Sequence, residues 1–223
     1  MEFLSKRLQA VADFVRQGAR VADVGTDHGY LPVYLIENGT SPSAVASDIN
    51  EGPLNSCKLL VSQRCLQDKI KCVISNGLQN INADDIDDVI IAGMGGELIA
   101  AILSDCSAVR DKHLILNPMP HSEITRSWLY LNGFLIKNDI IVKDGKHFYN
   151  IIDAEYGGEP FEPTQTQCFL GNIYDFSQKE YFNHLLNYLR NKEKGGADYS
   201  KVIKAIELSL IHISEPTRLA LIS

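Results

Sequence analysis

The sequence predicts an α/β fold with a parallel, doubly wound sheet, followed by a small helical domain. Two observations predict the sheet. Over the first two thirds of the 223 residues, short apolar runs alternate with helical segments, and the first apolar run ends in a glycine-containing turn. A third observation predicts the helical domain, because the sequence from Asp175 onward is charged and carries apolar residues at helical spacing.

Five short apolar runs are predicted to form the parallel strands: Arg20–Val24, Ala44–Ser47, Ile70–Ile74, Val89–Ala92 and Leu114–Leu116. Helices are expected between and after them, at Leu31–Glu37, Pro53–Cys65, Glu97–Leu103 and Ser122–Asn132. Ser122 is the predicted N-cap of the last helix. The β-rich stretches Phe134–Val142 and Phe148–Ala154 then predict an antiparallel hairpin that turns at Gly145.

These elements divide the chain into four predicted parts. Residues 1–156 form the α/β domain, 157–174 a linker rich in Gly and Pro, and 175–207 a helical hairpin broken at Gly195-Gly196. The remaining residues, 208–223, begin with LSLIHISEPTR, which a sequencing adaptor can encode letter for letter. We therefore expect residues 208–223 to be a non-native tail.

The composition is that of a globular protein, with 45% hydrophobic and 22% charged residues. No run of about 18 apolar residues predicts a membrane span, and the N-terminus does not have the apolar core of a signal peptide. Five cysteines without a CxxC pair indicate reduced thiols and a cytoplasmic location. The histidines do not have the spacing of metal ligands, so no metal is expected. A net charge of −7 limits nucleic-acid binding to local basic clusters.

The stretch VADVGTDHGYLP, at Val21 to Pro32, carries the most informative pattern. In a dinucleotide-binding GxGxxG turn, Asp27 and Tyr30 would replace the second and third glycines, and the Asp27 carboxylate would repel a pyrophosphate. The alternative D-x-G-x-G-x-G turn of class I methyltransferases fits better: Asp23, Gly25 and Gly29 match, and Asp27 replaces the middle glycine. S-adenosylmethionine carries a sulfonium and an ammonium, so a carboxylate at this turn favours it.

Polar residues at the ends of the other predicted strands extend this site. Asp48 ends the second strand, about 20 residues past the glycine turn, where an acid can bind both ribose hydroxyls. Asn76, beside Gly77, can pair with the adenine edge of the cofactor. The glycine cluster Gly93–Gly96 ends the fourth strand and lets a flat group approach the backbone, while Asn117 supplies an amide after the fifth.

Together, DVGTDHGYLP, NGL, IIAGMGG and LILNP…RSWL resemble the TrmK family of bacterial tRNA (adenine(22)-N(1))-methyltransferases, over residues 4–155 and more loosely beyond. The resemblance implies a Rossmann-like class I fold with a small C-terminal helical, coiled-coil-like domain. It implies methylation of adenine N1 at position 22 of tRNA with S-adenosyl-L-methionine. The NPMP segment departs from the family, in which many members have Gln-Pro-Asn, and this bears on the role of Asn117.

The predicted site residues fall into three groups. The cofactor is expected to contact Asp23, Gly25, Asp27, His28, Gly29, Asp48, Asn76, Gly77, Gly93 and Met94. The residues expected to act at the target base are Asp27, Tyr30 and Asn117, with Asp27 stabilising the cationic product and Tyr30 stacking on an extruded base. The tRNA is expected to contact Lys6, Arg7, Arg190, Lys192 and Lys194.

Other functions stay open at this point. The chain could methylate a small molecule or a protein with the same cofactor, or it could be a non-catalytic RNA-binding protein on a methyltransferase fold. A dehydrogenase is disfavoured, because the turn would repel the pyrophosphate. With tRNA as partner and without a membrane association, we expect a monomer or a weak homodimer.

Overall fold

Seven strands form one mixed sheet in the computed structural model, which describes residues 4–173 and 177–214. They are β1 (Val21–Val24), β2 (Ala44–Asp48), β3 (Ile70–Ile74), β4 (Asp88–Met94), β5 (His113–Pro118), β6 (Phe134–Asp144) and β7 (His147–Tyr156). Their order across the sheet is β3-β2-β1-β4-β5-β7-β6. Strands β1 to β5 are parallel, and β7 is antiparallel to both β5 and β6. The predicted α/β class and its closing hairpin are confirmed.

The described part of the chain contains eight α-helices. They are α1 (Lys6–Asp13), α2 (Tyr30–Glu37), α3 (Glu51–Gln63), α4 (Gly96–Ser104), α5 (Ser122–Leu131), α6 (Gln165–Leu170), α7 (Lys179–Lys194) and α8 (Ser200–Ser214). The predicted helices are present with small shifts at their ends. The prediction of Ser122 as N-cap is wrong, because His121 occupies that position. Ser122 lies in the first helical turn, where its Oγ accepts a hydrogen bond from Arg126 Nη1 at 3.0 Å.

Apolar layers cover both faces of the sheet, which explains why its central strands are continuous apolar runs. On one face, Ile91 and Leu116 pack with Ile99 of α4. On the other face, Ile90 and Ile115 belong to a second layer with α1, α2 and α3. Because all four residues of β1 are buried, the turn that follows β1 rests on a fixed base.

The antiparallel direction of β7 places its first residues beside the last residues of β5. Leu116 pairs with Ile152, and the next residues of β5 therefore lie beside Asn150. The start of β7 thus joins the carboxyl edge of the parallel strands, where open α/β sheets bind their ligands.

One buried arginine connects α6 to the α/β domain. Arg126 of α5 is fully buried and binds Asp139 of β6 through two hydrogen bonds, from Nε at 2.7 Å and Nη2 at 2.9 Å. Its Nη1 donates to the carbonyls of Cys168 and Phe169, both at 3.2 Å. Arg126 therefore joins α5, β6 and α6 in one hydrogen-bonded cluster.

Helix α6 lies inside the predicted linker 157–174. Its N-terminus has a capping box between Thr164 and Gln167, which explains why a helix begins in a stretch rich in turn residues. Helices α7 and α8 form the predicted helical hairpin, with Phe182, Leu189 and Ile206 in their shared core. Position 175, the predicted start of this hairpin, and residues 215–223 of the predicted tail lie outside the described residues. The domain boundaries stay predictions.

A buried ionic cluster lies at the opposite, amino edge of the parallel strands. His113 is 5% exposed, lies 3.3 Å from Asp88 Oδ2 through Nδ1, and contacts Asp153 Oδ1 through Nε2. Burial alone would lower the pKa of His113, but the two carboxylates outweigh it and raise the pKa to about 9. The imidazolium is therefore the form that the fold stabilises.

This cluster predicts how stability depends on pH. The pKa of His113 is higher in the folded chain than in the unfolded one, so its contribution is complete below about pH 6.5 and is lost as the pH rises through about 9. When the pH is raised from 6 to 9.5, the free energy of unfolding measured in urea is expected to fall by about 1–3 kcal/mol more for the wild type than for His113→Gln. Equal pH dependence in the two proteins would contradict the assignment.

Candidate cofactor and substrate site

Two backbone hydrogen bonds hold the turn after β1 against β2. Gly25 and Thr26 each donate their N–H to the carbonyl of Ser47 at 2.8 Å. Gly25 has a φ of +80°, and a Cβ at this position would collide with the side chain of Met94. The turn therefore requires glycine for its conformation, whereas the terminal methyl of Met94 could move aside.

A buried carboxyl group lies beneath this turn. Asp23 is 6% exposed, and burial raises its pKa to about 6, while a hydrogen bond with Thr26 opposes this shift. The carboxylate of Asp48, at the end of the neighbouring strand β2, raises the pKa of Asp23 further. Two acidic groups thus act on each other at one edge of the sheet, and a cationic ligand would relieve their repulsion.

The rest of the turn is open to solvent. The Asp27 side chain is 79% exposed, and its carboxylate lies 3.5 Å from His28 Nε2. The rings of His28 and Tyr30 are 5.4 Å apart. Tyr30 begins α2 and borders a cavity of about 410 Å³ between α1, α2 and α3. The structure thus brings Asp27 and His28 together and places Tyr30 at the border of this cavity.

The ends of β2 and β3 carry the next two predicted residues. Asp48 Oδ1 accepts the N–H of Asn50 at 2.7 Å, which fixes the carboxylate at the start of α3. After β3, the Ser75 hydroxyl donates to the carbonyl of Gly77 at 2.8 Å and shapes a turn in which Asn76 is exposed. Both residues thus lie at the carboxyl edge, and the Asp48 side chain is held there.

The glycine cluster after β4 is joined to the loop after β5. The strand continues to Met94 through a bulge at Gly93, which has a φ of +86°. Met119 donates its N–H to the carbonyl of Met94 at 2.6 Å, and Gly96 donates to Pro120 at 2.9 Å. The two loops therefore form one surface.

Arg7, predicted only as an RNA contact, lies against this surface. Its Nη1 donates to Asn117 Oδ1 at 2.9 Å, and its guanidinium carbon lies 5.5 Å from the centre of the Tyr149 ring. Asn117 is fully buried, and its Nδ2 donates to the carbonyl of Asn150 at 2.9 Å. Both polar groups of the Asn117 side chain are therefore engaged by the protein.

A second cavity of about 410 Å³ opens beside this arginine. We name it the base cavity; it is lined by the Pro118–Pro120 segment and by His121, Ser122, His147, Phe148, Tyr149 and Asn150. Asn150 is 7% exposed, its Oδ1 accepts a hydrogen bond from Tyr181 at 3.3 Å, and its Nδ2 is without a partner in the described part of the chain. A buried donor without a partner is costly unless a ligand accepts from it.

The remaining predicted RNA contacts lie on two helices. Lys6 is exposed on α1. On the last turns of α7, Arg190 pairs with Glu207 at 2.6 Å, and Lys194 donates to Asn191 at 3.2 Å. Lys192 lies 5.6 Å from the centre of the Tyr188 ring. The basic residues of α7 therefore differ in how strongly their charges are already compensated.

The sequence analysis did not select the residues that line the base cavity. The stretch HFYN begins β7, and its position at the site depends on the antiparallel pairing of β7 with β5. A hairpin was predicted there, but its pairing partner was not. The signal that could have identified these residues is the seventh, antiparallel strand, because only its beginning can reach the carboxyl edge.

Comparison with known proteins agrees with this geometry. The sequence model of the methyltransferase-domain family matches residues 4–152. The tRNA (adenine(22)-N(1))-methyltransferase of Bacillus subtilis (strain 168) is 39% identical over 159 residues, which cover 69% of this chain and 66% of that protein. The crystal structure of the B. subtilis m1A22 tRNA methyltransferase TrmK has a TM-score of 0.79 and 28% identity, covering 95% of this chain and 96% of that one. The chain belongs to the TrmK family of methyltransferases.

A further structure from the same comparison extends the agreement to a cofactor complex. Sp1610 of Streptococcus pneumoniae, solved with S-adenosyl-L-methionine, has a TM-score of 0.82 and 33% identity, covering 93% of this chain and all of that one. The TrmK-family fold thus extends past the sheet into the C-terminal helices. In the described part of this TrmK-family chain, the helices are too short or too polar to cross a membrane.

Proposed function

We propose that this TrmK-family chain transfers a methyl group from S-adenosyl-L-methionine to N1 of adenine 22 in tRNA. One observation carries the proposal: the acidic groups Asp23 and Asp48 and a cavity lined by aromatic and amide groups lie at the same carboxyl edge of the parallel strands. The first feature suits a cationic methyl donor, and the second suits a nucleobase.

The residues at the acidic edge fit the proposed cofactor. The glycine turn lets a ligand approach the backbone at Gly25, Asp48 suits the ribose hydroxyls, and Asn76 and Gly77 suit the adenine edge. Asp27, His28, Gly29, Gly93 and Met94 complete the proposed contacts, and Asp23 supports the turn from below. When bound, S-adenosyl-L-methionine supplies an electrophilic methyl group on a sulfonium.

The chemistry at the target base requires little from the protein. Adenine N1 has its own lone pair, so no general base is needed before it attacks the methyl group. The methylated ring is cationic, and we propose that the Asp27 carboxylate stabilises this developing charge. The base has to leave its stack to reach the methyl group, and the base cavity offers Tyr149 as a stacking surface.

Asn117 and Tyr30, both predicted at the target base, receive more specific roles here, and Asn150 is added to them. Asn117 is a positioning residue, since its amide holds Arg7 and the start of β7 together. Asn150 is proposed to donate from Nδ2 to a ring nitrogen of the extruded adenine, with Tyr181 holding its other group. Tyr30, at the neighbouring cavity, is proposed to contact a nucleotide beside the target.

The proposed RNA contacts predict the salt dependence of binding. Lys192→Gln is expected to weaken tRNA binding a few-fold and to reduce the slope of log Kd against log salt by about 1, because one phosphate contact is lost. The Kd for S-adenosyl-L-methionine is expected to stay unchanged. Lys71→Gln, an exposed lysine on β3, is the matched control. An equal slope for all three proteins would exclude a phosphate contact at Lys192.

The direct test of the proposal is methyl transfer from labelled cofactor to unmodified bulk bacterial tRNA, followed by nucleoside analysis. The expected labelled product is N1-methyladenosine. Transfer to a different nucleoside, or cofactor binding without transfer to tRNA, would indicate that the chain acts on another substrate. With tRNA as substrate, we also propose a cytoplasmic location and a monomer or weak homodimer. Sedimentation with and without tRNA would test the oligomeric state.

A further inference from the structure

A second groove adjoins the base cavity on the side of the helical hairpin. This groove, the α7 groove, has a volume of about 300 Å³ and is lined by Lys146, His147, Phe148, His184, Leu185 and Tyr188, together with Tyr181. His147 and Phe148 line both the base cavity and the α7 groove. The ring of Phe148 therefore lies at the boundary between two adjoining cavities, each large enough for a flat aromatic group.

Aromatic rings surround this boundary. Phe148 lies 5.9 Å from the Tyr181 ring and 6.0 Å from the His184 ring, both in edge-on contacts. Tyr188, one helical turn further along α7, is 39% exposed. A base that enters the α7 groove can thus stack on a ring that already faces solvent, without displacing the protein core.

The charge around the two cavities favours a polyanion. In a chain with 28 acidic residues and a net charge of −7, none of the described residues that line either cavity is acidic. Two carboxylates close to the cavities have side-chain partners, since Glu123 bonds His121 at 2.9 Å and Glu180 pairs with Lys143. The same lysine lies 5.2 Å from the centre of the Phe148 ring. The described lining of the two cavities therefore carries no carboxylate that would repel a phosphate.

We infer that the α7 groove binds the nucleotide next to the target adenine, and that Phe148 separates the two bases. The inference rests on the proposed function, because it assigns the target adenine to the base cavity. An extruded base leaves its neighbour unstacked, and an aromatic side chain can replace the lost stacking. The α7 groove thus makes the helical hairpin part of the reaction site, with Tyr188 as the stacking partner and Phe148 as the wedge.

The experiment measures KM for tRNA and the Kd for S-adenosyl-L-methionine with the full chain. Tyr188→Ala is expected to raise KM for tRNA about tenfold, the order of one lost base stack, and to leave the Kd for the cofactor unchanged. Tyr188→Phe, which keeps the ring, is expected to recover most of the loss. Leu131→Ala, an exposed apolar residue at the far end of α5, is the control. Phe148→Leu tests the wedge separately and is expected to lower the single-turnover rate more than the affinity.

Substrates that carry an abasic nucleotide on either side of position 22 decide the outcome. With one of these two substrates, Tyr188→Ala is expected to cause no further rise in KM, because the base that would stack on Tyr188 is already missing. An equal loss with both abasic substrates, or an unchanged KM with intact tRNA, would overturn the inference alone. A wild type that binds the cofactor but does not methylate tRNA would overturn the proposed function, and this inference with it.

Discussion

Methionine in place of Arg126 is expected to lower the free energy of unfolding by about 3–5 kcal/mol. The guanidinium is fully buried, and its partner Asp139 is buried with it. Methionine fills a similar volume but leaves the carboxylate of Asp139 without its counter-ion. It also leaves the carbonyls of Cys168 and Phe169 without their donor, so α6 is expected to detach from α5.

Urea unfolding at neutral pH measures this change, and the same substitution at a surface pair is its control. Arg64 binds Glu37 at 3.3 Å with about a third of each side chain exposed, so Arg64→Met is expected to cost less than about 1 kcal/mol. The double variant Arg126→Met with Asp139→Leu is expected to recover much of the loss, because it removes the unpaired carboxylate. Similar losses at Arg126 and Arg64 would mean that the buried pair does not support the fold.

Loss of the charge at Asp27 is expected to slow methyl transfer about 100-fold, the size of an electrostatic contribution at a reacting centre. The side chain is 79% exposed in the free chain, so its effect develops when bound RNA excludes water. Asp27→Asn keeps the size of the side chain and removes only the charge. The loss is therefore expected in the single-turnover rate, with a smaller change in KM for tRNA.

Asp105→Asn is the matched control for this change, since Asp105 is an exposed acid at the end of α4. It is expected to transfer methyl groups at the wild-type rate. If Asp27→Asn also kept the wild-type rate, Asp27 would be a turn-forming residue, and the cationic product would need another stabilising group.

The sequence was most informative where chemistry and local structure coincide. Gly25 could be predicted because a tight turn after a buried strand demands a positive φ. Asp48 could be predicted because it ends the second strand, about 20 residues past the glycine turn. The pattern of apolar runs identified the strands because both faces of the sheet are covered. Each of these predictions depends on residues that are close together along the chain, so the sequence alone was sufficient to make it.

The parts that the sequence left open depend on contacts between distant residues. Arg7 and Asn117 are 110 positions apart, and only the folded chain brings the guanidinium of one to the amide of the other. The burial of Arg126 could not be predicted either, because the sequence of its helix is an ordinary amphipathic pattern. Ser122 resembled an N-cap, yet the preceding turn shifts the cap to His121. Tertiary packing decided each of these positions.

The most direct test of the proposed function determines which tRNA position is methylated and how the rate depends on the charge of Asp27. Wild type, Asp27→Ala and Asp27→Asn are incubated with labelled S-adenosyl-L-methionine and unmodified tRNA, and the label is mapped to nucleoside and position. The proposed function predicts N1-methyladenosine at position 22 with the wild type, and about 100-fold slower transfer with both variants. Label at another nucleoside would contradict the proposed function, and full activity in both variants would contradict the proposed role of Asp27.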